Sequence, residues 1–502
     1  MSIDNPYAMV YNTIVFRSTE EAMNKIKIDL TPKHSISPYL YMQFMEPLGT
    51  ADTSVDAAWD FAEDDWYPCV IDEVKRLHPS MVRFGGCFAS YYHWKEAIGP
   101  QNDRIPMRNH CWGGKYFNQV GTHEFVDFCE RVSTEPLMVV NMESEGLKLW
   151  QYPKNDTIRL GTDTEAAEWV SYCNDPVNKL RFEKGREKPY NIKYWQIGNE
   201  TSYRPFGKDG FTAEQCYEVT CRFAEKMKKA DPTITLIGWG DKAPEDDKWC
   251  EKMSHADGIE LLAFHHHYGE FTPDSPIYSV NYKKDFAAAW EALMGSTASL
   301  EDHIQKMRAQ CGSKRLAMTE GHFILPGRNR NDLLSTWAVG VAYAKWHNVI
   351  MRHSDVLDIA TMADFLGNVW QCNAIIVPTP MRDNSRCYTQ PVGEVMRLFS
   401  EHQGKNAIDV SFGANIDAVA SITDNTVYLH IANTSMTSSE EIILDLGDKT
   451  VESAKMFCIA EDPETEITPQ SIGCFKENVT EIIGNTVTVP KASVAAIEIK
   501  IK

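Results

Sequence analysis

Two glutamates in this sequence end short apolar segments, a position in which catalytic carboxylates are often found. Residues 194–200 read Tyr-Trp-Gln-Ile-Gly-Asn-Glu and end in Asn199 and Glu200, whereas residues 314–320 read Lys-Arg-Leu-Ala-Met-Thr-Glu and end in Glu320. Short apolar runs are typical of buried parallel strands, and in eight-stranded barrels the catalytic groups lie where such strands end. Because the two segments are far apart in the chain, we expect them to form different strands whose glutamates face one pocket.

A pair of carboxylates that face each other across a pocket can cleave a glycosidic bond. One donates a proton to the leaving oxygen, and the other attacks the sugar carbon. Glu200 and Glu320 are the predicted pair, and Asn199 supports the choice because its amide can hydrogen-bond a sugar hydroxyl. Other acidic residues that end apolar runs are Glu46, Glu143, Asp241 and Asp364.

The composition argues against several other functions. With 70 acidic and 50 basic residues among 502, the chain has a formal net charge of -20, which disfavours nucleic acid and anionic membranes as partners. No run is long enough to span a membrane, and the first twenty residues lack the pattern of a secretory signal. The 13 cysteines include no Cys-x-x-Cys pair, which favours reduced thiols over a disulfide framework or a zinc site. These features predict a cytoplasmic protein.

From about residue 36 the sequence repeats a pattern in which a short apolar run is followed by a longer helical stretch. Eight such runs over residues 36–385 predict an α/β fold, a (β/α)8 TIM barrel. The runs are Pro38–Glu46, Met81–Gly86, Leu137–Glu143, Ile192–Glu200, Ile234–Asp241, Ile259–Tyr268, Arg315–His322 and Val356–Phe365. Apolar residues at helical spacing predict helices at 163–174, 212–229 and 333–350.

The pattern changes near residue 386, and residues 386–502 predict a C-terminal β-sandwich domain. Their short alternating segments are separated by turn residues and lack helical periodicity. The expected strands are Ala418–Ile422, Thr426–Asn433, Glu441–Leu446, Val451–Phe457, Thr486–Val489 and Ser493–Ile501. Residues 1–35 contain two more strand-like segments, Tyr11–Phe16 and Lys25–Leu30, which are expected to pack on this sandwich.

Three consecutive histidines raise the question of a metal site. On a strand, His265 and His267 face one side and His266 faces the other, so at most two can converge, and no third ligand is evident. We therefore expect no metal and no cofactor. Thiol catalysis by Cys87 is not expected either, because no histidine evidently pairs with it.

Longer motifs around these residues match those of one enzyme family. They are Phe-Met-Glu-Pro-Leu-Gly at 44–49, Val-Arg-Phe-Gly-Gly at 82–86, Gly-Thr-His-Glu-Phe at 121–125 and Glu-Trp-Val-Ser-Tyr-Cys-Asn at 168–174. On these motifs the chain resembles the retaining α-L-arabinofuranosidases of glycoside hydrolase family 51 over nearly its whole length. The resemblance implies a barrel with a C-terminal β-sandwich, a homo-oligomer and no metal requirement.

The resemblance also implies roles for the matching residues. Glu200 would be the general acid/base and Glu320 the nucleophile, with Arg83 supporting the nucleophile. Either His267 or Tyr268 could contact the nucleophile. The predicted substrate-binding residues are Glu46, Arg83, Cys87, Trp112, Asn199, His265, His267, Tyr268 and Phe365.

Two positions depart from the family pattern and leave the sugar open. Cys87 stands where the family usually has an asparagine, and a thiol is a much weaker hydrogen-bond partner than an amide. Phe365 stands where a glutamine is expected near the eighth strand. Trp94 and Trp112 could either stack on sugar rings or pack in the core.

We predict an exo-acting retaining glycosidase that releases terminal α-L-arabinofuranosyl residues from oligosaccharides in the cytoplasm. One alternative keeps the fold and the mechanism but acts on a galactofuranoside or a β-xyloside. The other is a non-catalytic carbohydrate-binding barrel, which the presence of both glutamates disfavours.

Overall fold

The computed structural model describes residues 25–49, 51–52, 54–144, 160–203, 210–242, 248–325, 331–382 and 385–502. The strand expected at Tyr11–Phe16 lies outside these ranges. Among the helices within them, none is long and apolar enough to cross a membrane.

The described residues form strands and helices that alternate through the first part of the chain. The strands are β1 (Lys25–Ser35), β2 (Met42–Met45), β3 (Trp59–Asp60), β4 (Asp65–Trp66), β5 (Met81–Phe84), β6 (Met107–Arg108), β7 (Lys115–Tyr116), β8 (Glu135–Val140), β9 (Tyr194–Ile197), β10 (Thr235–Trp239), β11 (Leu261–Tyr268), β12 (Arg315–Phe323), β13 (Leu357–Ala360), β14 (Asp364–Gly367), β15 (Asn373–Ile376), β16 (Tyr388–Thr389), β17 (Asn406–Val410), β18 (Ile416–Thr423), β19 (Thr426–Asn433), β20 (Glu440–Asp445), β21 (Val451–Ala460), β22 (Glu477–Ile482), β23 (Thr486–Val489) and β24 (Ser493–Ile501). The helices are α1 (Val55–Ala58), α2 (Pro68–Leu77), α3 (Thr122–Val132), α4 (Asp163–Asn174), α5 (Lys179–Glu183), α6 (Ala213–Ala230), α7 (Trp249–Ser254), α8 (Phe286–Gly295), α9 (Thr297–Gln310), α10 (Trp337–Arg352) and α11 (Pro391–Glu401).

The larger sheet closes into the predicted (β/α)8 barrel. Its strands are hydrogen-bonded in the order β13-β12-β11-β10-β9-β8-β5-β2-β14, with β15 and β16 appended. The eighth barrel position is shared by β13 and β14, because Tyr39 before β2 bridges to Ile359 of β13 and Phe44 of β2 pairs with Asp364 of β14. The pairs between successive barrel strands are parallel, so the strands' carboxyl ends open on one face.

The barrel helices form where the sequence predicts them, because their apolar residues recur at helical spacing. The predicted segments 163–174, 212–229 and 333–350 correspond to α4, α6 and α10. Helix α6 begins with a capping box, in which the Thr212 hydroxyl accepts from the backbone N–H of Gln215 and the Gln215 side chain accepts from the backbone N–H of Thr212. Helix α10 begins at Trp337, later than predicted, because a 3-10 turn precedes it.

The second sheet is the predicted β-sandwich, with strand order β22-β21-β24-β19-β18-β17-β1-β20-β23. Alternate residues of β19, such as Leu429 and Ile431, are buried in its core. The N-terminal strand β1 is part of this sheet, since Ile28 lies opposite Val410 of β17 and β1 also pairs with β20.

Helix α11 lies in the segment for which the sequence predicts only strands. It begins at Pro391, a residue favoured in the first helical turn, and packs against α2 and α10 of the barrel. The division of the chain into 1–35, 36–385 and 386–502 stays a prediction.

Helix α10 connects the barrel to the sandwich. The Trp337 indole N–H donates to the carbonyl oxygen of Ala492 at 2.7 Å, and the Asn348 amide donates to Oδ1 of Asp417 at 2.7 Å. Both donors belong to buried residues, so these bonds fix the sandwich against the helical layer.

Candidate active site

Glu200 and Glu320 lie close together at the carboxyl ends of the barrel strands. Glu200 follows β9, Glu320 lies in β12, and each is only 7% exposed. Nδ1 of His265 lies 2.9 Å from Oε1 of Glu200 and 3.4 Å from Oε2 of Glu320. The sum of these two distances is the upper limit for the separation of the two oxygens, so the carboxyl groups face each other beside one imidazole.

A register shift between β11 and β12 aligns His265 with Glu320. Phe264 lies opposite Met318, but His265 lies opposite Glu320, so Thr319 is skipped. Oγ1 of Thr319 instead lies 3.0 Å from Nε2 of His265. Bulges of this kind re-aim side chains next to active sites, and this one holds the imidazole between a hydroxyl and two carboxyl groups.

The backbone at Glu200 is strained. Its φ is 49°, in the left-handed region, and Gly198 just before it has a φ of 73°. Residues other than glycine rarely adopt such values, and strain of this kind is concentrated at functional sites. The turn ends β9 and brings the Glu200 side chain to His265.

Arg83 holds the nucleophile candidate and the neighbouring amide in place. It is 0% exposed, and its Nη1 donates to Oε1 of Glu320 at 3.0 Å. Its Nε donates to Oε1 of Gln196 at 2.9 Å, and its Nη2 donates to Oδ1 of Asn199. The Asn199 oxygen is thus engaged and the orientation of the amide is fixed. Its Nδ2 is a buried donor without a hydrogen-bond partner among the described residues, so it is available to a ligand hydroxyl.

The charges around the pair set unequal protonation states. Burial and the negative charge of Glu320 raise the pKa of Glu200 to about 8. Burial alone would raise the pKa of Glu320 as well, but His265, His267 and Arg83 together hold it well below the usual range. Glu200 is therefore protonated and Glu320 ionised at neutral pH, the states that a proton donor and a nucleophile need.

Glu46, at the end of β2, forms a third acidic wall of the site. The Trp112 indole N–H donates to its Oε1 at 2.8 Å, and Trp112 itself is half-buried against Trp370. Burial and the charge of Glu320 raise the pKa of Glu46. Gly86 makes room for this carboxyl group, because a Cβ at that position would lie 2.0 Å from Oε2 of Glu46.

The alternating faces of β11 decide which of two candidate side chains contacts Glu320. Nε2 of His267 lies 3.6 Å from Oε2 of Glu320, within ion-pair distance. Although burial opposes it, the negative charge of Glu320 raises the pKa of His267. Tyr268 points to the other face, where its ring contacts Phe323 and Trp346. The structure thus brings His267 to the site and leaves Tyr268 in the helical layer.

Phe365 is also outside the cluster, although the sequence places it among the substrate-binding residues. It is 1% exposed and its ring packs against Phe128 of α3. Strand residues alternate between faces, and Asp364 is the neighbour that faces the site. Burial and, to a smaller extent, the negative charge of Glu320 raise the pKa of Asp364. Phe365 therefore packs between β14 and α3 and does not reach the carboxyl pair.

Cys87 is buried beside Glu46, in the 3-10 turn that follows β5. A hydrogen bond with the neighbouring Cys111 thiol, burial and the charge of Glu46 raise the pKa of Cys87. It is therefore a neutral thiol, a poor nucleophile and a weak hydrogen-bond partner.

The cluster contains a third potential metal ligand that the sequence did not indicate. Ligand atoms of His265, His267 and Glu320 lie within 4.8 Å of one another. However, Arg83 already donates to the same carboxylate, and a bound cation would meet its positive charge at short range. The histidines are better explained as partners of the carboxyl pair.

Sequence reasoning also missed Gln196 and Thr319, which hold Arg83 and His265. Gln196 interrupts an otherwise apolar strand and is 0% exposed. A polar side chain at such a position must find a hydrogen-bond partner, and this signal could have identified it.

A cavity of about 490 Å³ lies next to β11, with His265 and His267 among its lining residues, but neither Glu200 nor Glu320 lines it. Asp241, Lys242 and His303 also line it. Its walls are thus rich in groups that can hydrogen-bond hydroxyls.

Comparisons with known proteins point to one family. Residues 73–284 match the model of the "Alpha-L-arabinofuranosidase 1 domain" and residues 327–493 that of the "Alpha-L-arabinofuranosidase C-terminal domain". The chain is 32% identical over 217 residues to alpha-L-arabinofuranosidase C of Emericella nidulans, spanning 42% of this chain but only 40% of that relative. It is 24% identical over 469 residues, 84% of each chain, to the intracellular exo-alpha-L-arabinofuranosidase of Bacteroides ovatus.

Solved structures support the same fold. The arabinose complex of the Thermotoga maritima alpha-L-arabinofuranosidase superposes with a TM-score of 0.73 at 22% identity, over 95% of this chain and all of that chain. The GH51 arabinofuranosidase of Xanthomonas axonopodis gives 0.77 at 20% identity, over 95% and 100%. Since both matching family models are those of α-L-arabinofuranosidases, residues 73–284 and 327–493 of this chain belong to the α-L-arabinofuranosidase family.

Proposed function

We propose that this protein is an exo-acting α-L-arabinofuranosidase that releases terminal α-L-arabinofuranosyl residues from oligosaccharides with retention of configuration. The observation that carries the proposal is the pair Glu200 and Glu320, both in contact with His265 and with opposite preferences for a proton. The upper limit on their separation lies below the range of about 6.5–9.5 Å typical of inverting glycosidases. A separation below that range favours retention over inversion.

The geometry supports a double displacement. Ionised Glu320 attacks the anomeric carbon while Glu200 gives its proton to the glycosidic oxygen, so the leaving sugar departs neutral and a glycosyl-enzyme forms. Glu200, now ionised, then takes a proton from water, whose oxygen attacks the same carbon and frees Glu320. Arg83 and His267 stabilise the ionised form of Glu320 throughout.

The side chains around the pair suit a chain end. The near-complete burial of both glutamates favours a terminal sugar over an internal one. Asn199 and Glu46 supply hydrogen bonds to its hydroxyls, and Trp112 closes the side next to Glu46.

An assay of 4-nitrophenyl glycosides tests the proposal. We expect hydrolysis of the α-L-arabinofuranoside and its complete loss in Glu320→Ala. Glu143→Ala is a matched control, because Glu143 also follows a barrel strand but pairs with Arg222 outside the cluster. Absence of turnover on every furanoside and xyloside, or equal turnover by Glu320→Ala, would contradict it.

A different sugar is the second candidate, favoured by Cys87 and Asp364. The site has a thiol where the family usually has an amide, and an acid faces the pocket on the eighth strand. A galactofuranoside or β-xyloside turned over better than the arabinofuranoside would establish this alternative. Sugar binding in calorimetry with no hydrolysis would instead indicate a non-catalytic protein.

The cytoplasmic location and the homo-oligomer also belong to this proposal. The Bacteroides ovatus relative is named as intracellular, which supports the first. Cell fractionation and light scattering of the purified protein test the two.

A further inference from the structure

Two cysteines far apart in the sequence meet at the edge of the barrel. Sγ of Cys69 lies 3.3 Å from Sγ of Cys387, although 318 positions separate them. Cys69 is in the first turn of α2, and Cys387 directly precedes β16. Neither residue contacts the carboxyl pair, so the proposed hydrolysis gives this pair of thiols no role.

We propose that Cys69 and Cys387 form a reversible disulfide when the protein meets a peroxide. The two sulfurs are near enough that a small movement of the side chains brings them to the bonding distance of about 2.05 Å. This site goes beyond the proposed function and does not depend on it.

The two thiols differ in a way that assigns their roles. Cys69 is half-buried and therefore reachable from solvent, whereas Cys387 is 6% exposed. A hydrogen bond from Cys387 and the backbone N–H groups of the α2 first turn lower the pKa of Cys69 to about 7. The hydrogen bond with Cys69 and burial raise the pKa of Cys387. Cys69 is therefore the thiolate that reacts first, and Cys387 is the resolving thiol.

The reaction balances with hydrogen peroxide as the oxidant. The Cys69 thiolate attacks one peroxide oxygen, the O–O bond breaks, and the other oxygen leaves as hydroxide, which takes a proton to become water. Cys69 is then a sulfenic acid. The sulfur of Cys387 attacks the Cys69 sulfur, loses its proton, and the hydroxyl group leaves as a second water.

The bond would join the first turn of α2 to the residue just before β16. Met381, which lies between β15 and β16, places its Sδ 4.0 Å from Sγ of Cys69. Helix α2 begins beyond the carboxyl end of β2, and β15 runs parallel to β14, so both cysteines lie toward the carboxyl-end face. A cross-link there would limit the separation of two chain segments at the rim of the barrel without altering the carboxyl pair.

Peptide mapping of the full-length protein tests the proposal. After limited hydrogen peroxide treatment and alkylation of the remaining thiols, a non-reduced digest should contain a Cys69–Cys387 peptide pair that dithiothreitol removes. In Cys387→Ser, Cys69 should stop at the sulfenic acid and react with dimedone. The oxidised wild type should melt roughly a few degrees higher than the reduced form.

Cys474→Ser is the matched control, because it removes another half-buried thiol whose pKa burial raises. It should keep both the cross-link and the melting shift, whereas Cys69→Ser should lose both. Alkylation of Cys69 and Cys387 in the peroxide-treated wild type, while other cysteines have oxidised, would overturn the proposal even if a variant failed to fold. So would a disulfide between Cys69 and a different cysteine.

Discussion

Replacing Glu200 by alanine should separate the two chemical steps of the reaction. The change removes the proton donor but leaves Glu320 with its described partners, Arg83 at 3.0 Å and His267 at 3.6 Å. When the substrate is a disaccharide, the leaving sugar needs a proton. The kcat/KM for such a substrate should therefore fall by about 10²–10⁴, the usual contribution of general acid catalysis, which corresponds to about 3–5 kcal/mol. A 2,4-dinitrophenyl glycoside needs no proton, and its first step should slow by less than about tenfold.

The second step should then limit turnover. Without a base, water attacks the glycosyl-enzyme slowly, so stopped-flow traces with the dinitrophenyl substrate should show a burst of one equivalent per site. Azide fits the space that the carboxyl group leaves, needs no base, and should raise the steady-state rate. The azide product should have the configuration of the substrate, as determined by NMR.

Two outcomes would refute this reasoning. Equal losses for the disaccharide and the dinitrophenyl glycoside would show that Glu200 does not donate the proton. A first product with inverted configuration would exclude a glycosyl-enzyme on Glu320. Glu143→Ala should behave as wild type in each assay, which controls for the loss of a strand-end glutamate.

Three further predictions follow from charge and burial. Glu200 must be protonated to act as the acid, and burial raises its pKa to about 8. The kcat/KM for oligosaccharides should therefore fall about tenfold per pH unit above about pH 8. The kcat/KM for the dinitrophenyl glycoside should show no such fall. Arg83→Met removes the positive charge that contacts Glu320, so the pKa of Glu320 should rise. The loss of activity at acid pH should then begin at a higher pH, and kcat should fall about 10²-fold or more. An unchanged pH profile on the acid side would contradict this role of Arg83. Burial lowers the pKa of His430 to about 4. Below about pH 6.5 the unfolded chain therefore binds a proton at this histidine that the folded chain does not bind. The free energy of unfolding should fall by up to about 3 kcal/mol between pH 6.5 and 4. The melting temperature, measured across that pH range, should depend less on pH in His430→Gln than in the wild type. An unchanged dependence on pH would count against this explanation.

Local patterns in the sequence were sufficient to predict the barrel, the sandwich and the carboxyl pair. Each barrel strand is a short apolar run and each helix has its own apolar face, so their positions depend on neighbouring residues alone. Glu200 and Glu320 end two of those runs, and a parallel barrel brings all such ends to one face. Helix α11 escaped this reasoning because it lies inside a segment otherwise composed of strands.

Tertiary structure alone decided which side chains face the pocket. A shift of one residue turns a strand's side chains to the opposite face, so Asp364 instead of Phe365, and His267 instead of Tyr268, reach the site. Burial and the charge of Glu320, which no local pattern contains, determine that Glu200 keeps its proton. The sequence by itself therefore determined the elements and the two glutamates at their ends. The direction in which each side chain faces, the protonation state of each glutamate and the long-range contacts depend on atoms that are distant in the chain and become adjacent only after folding.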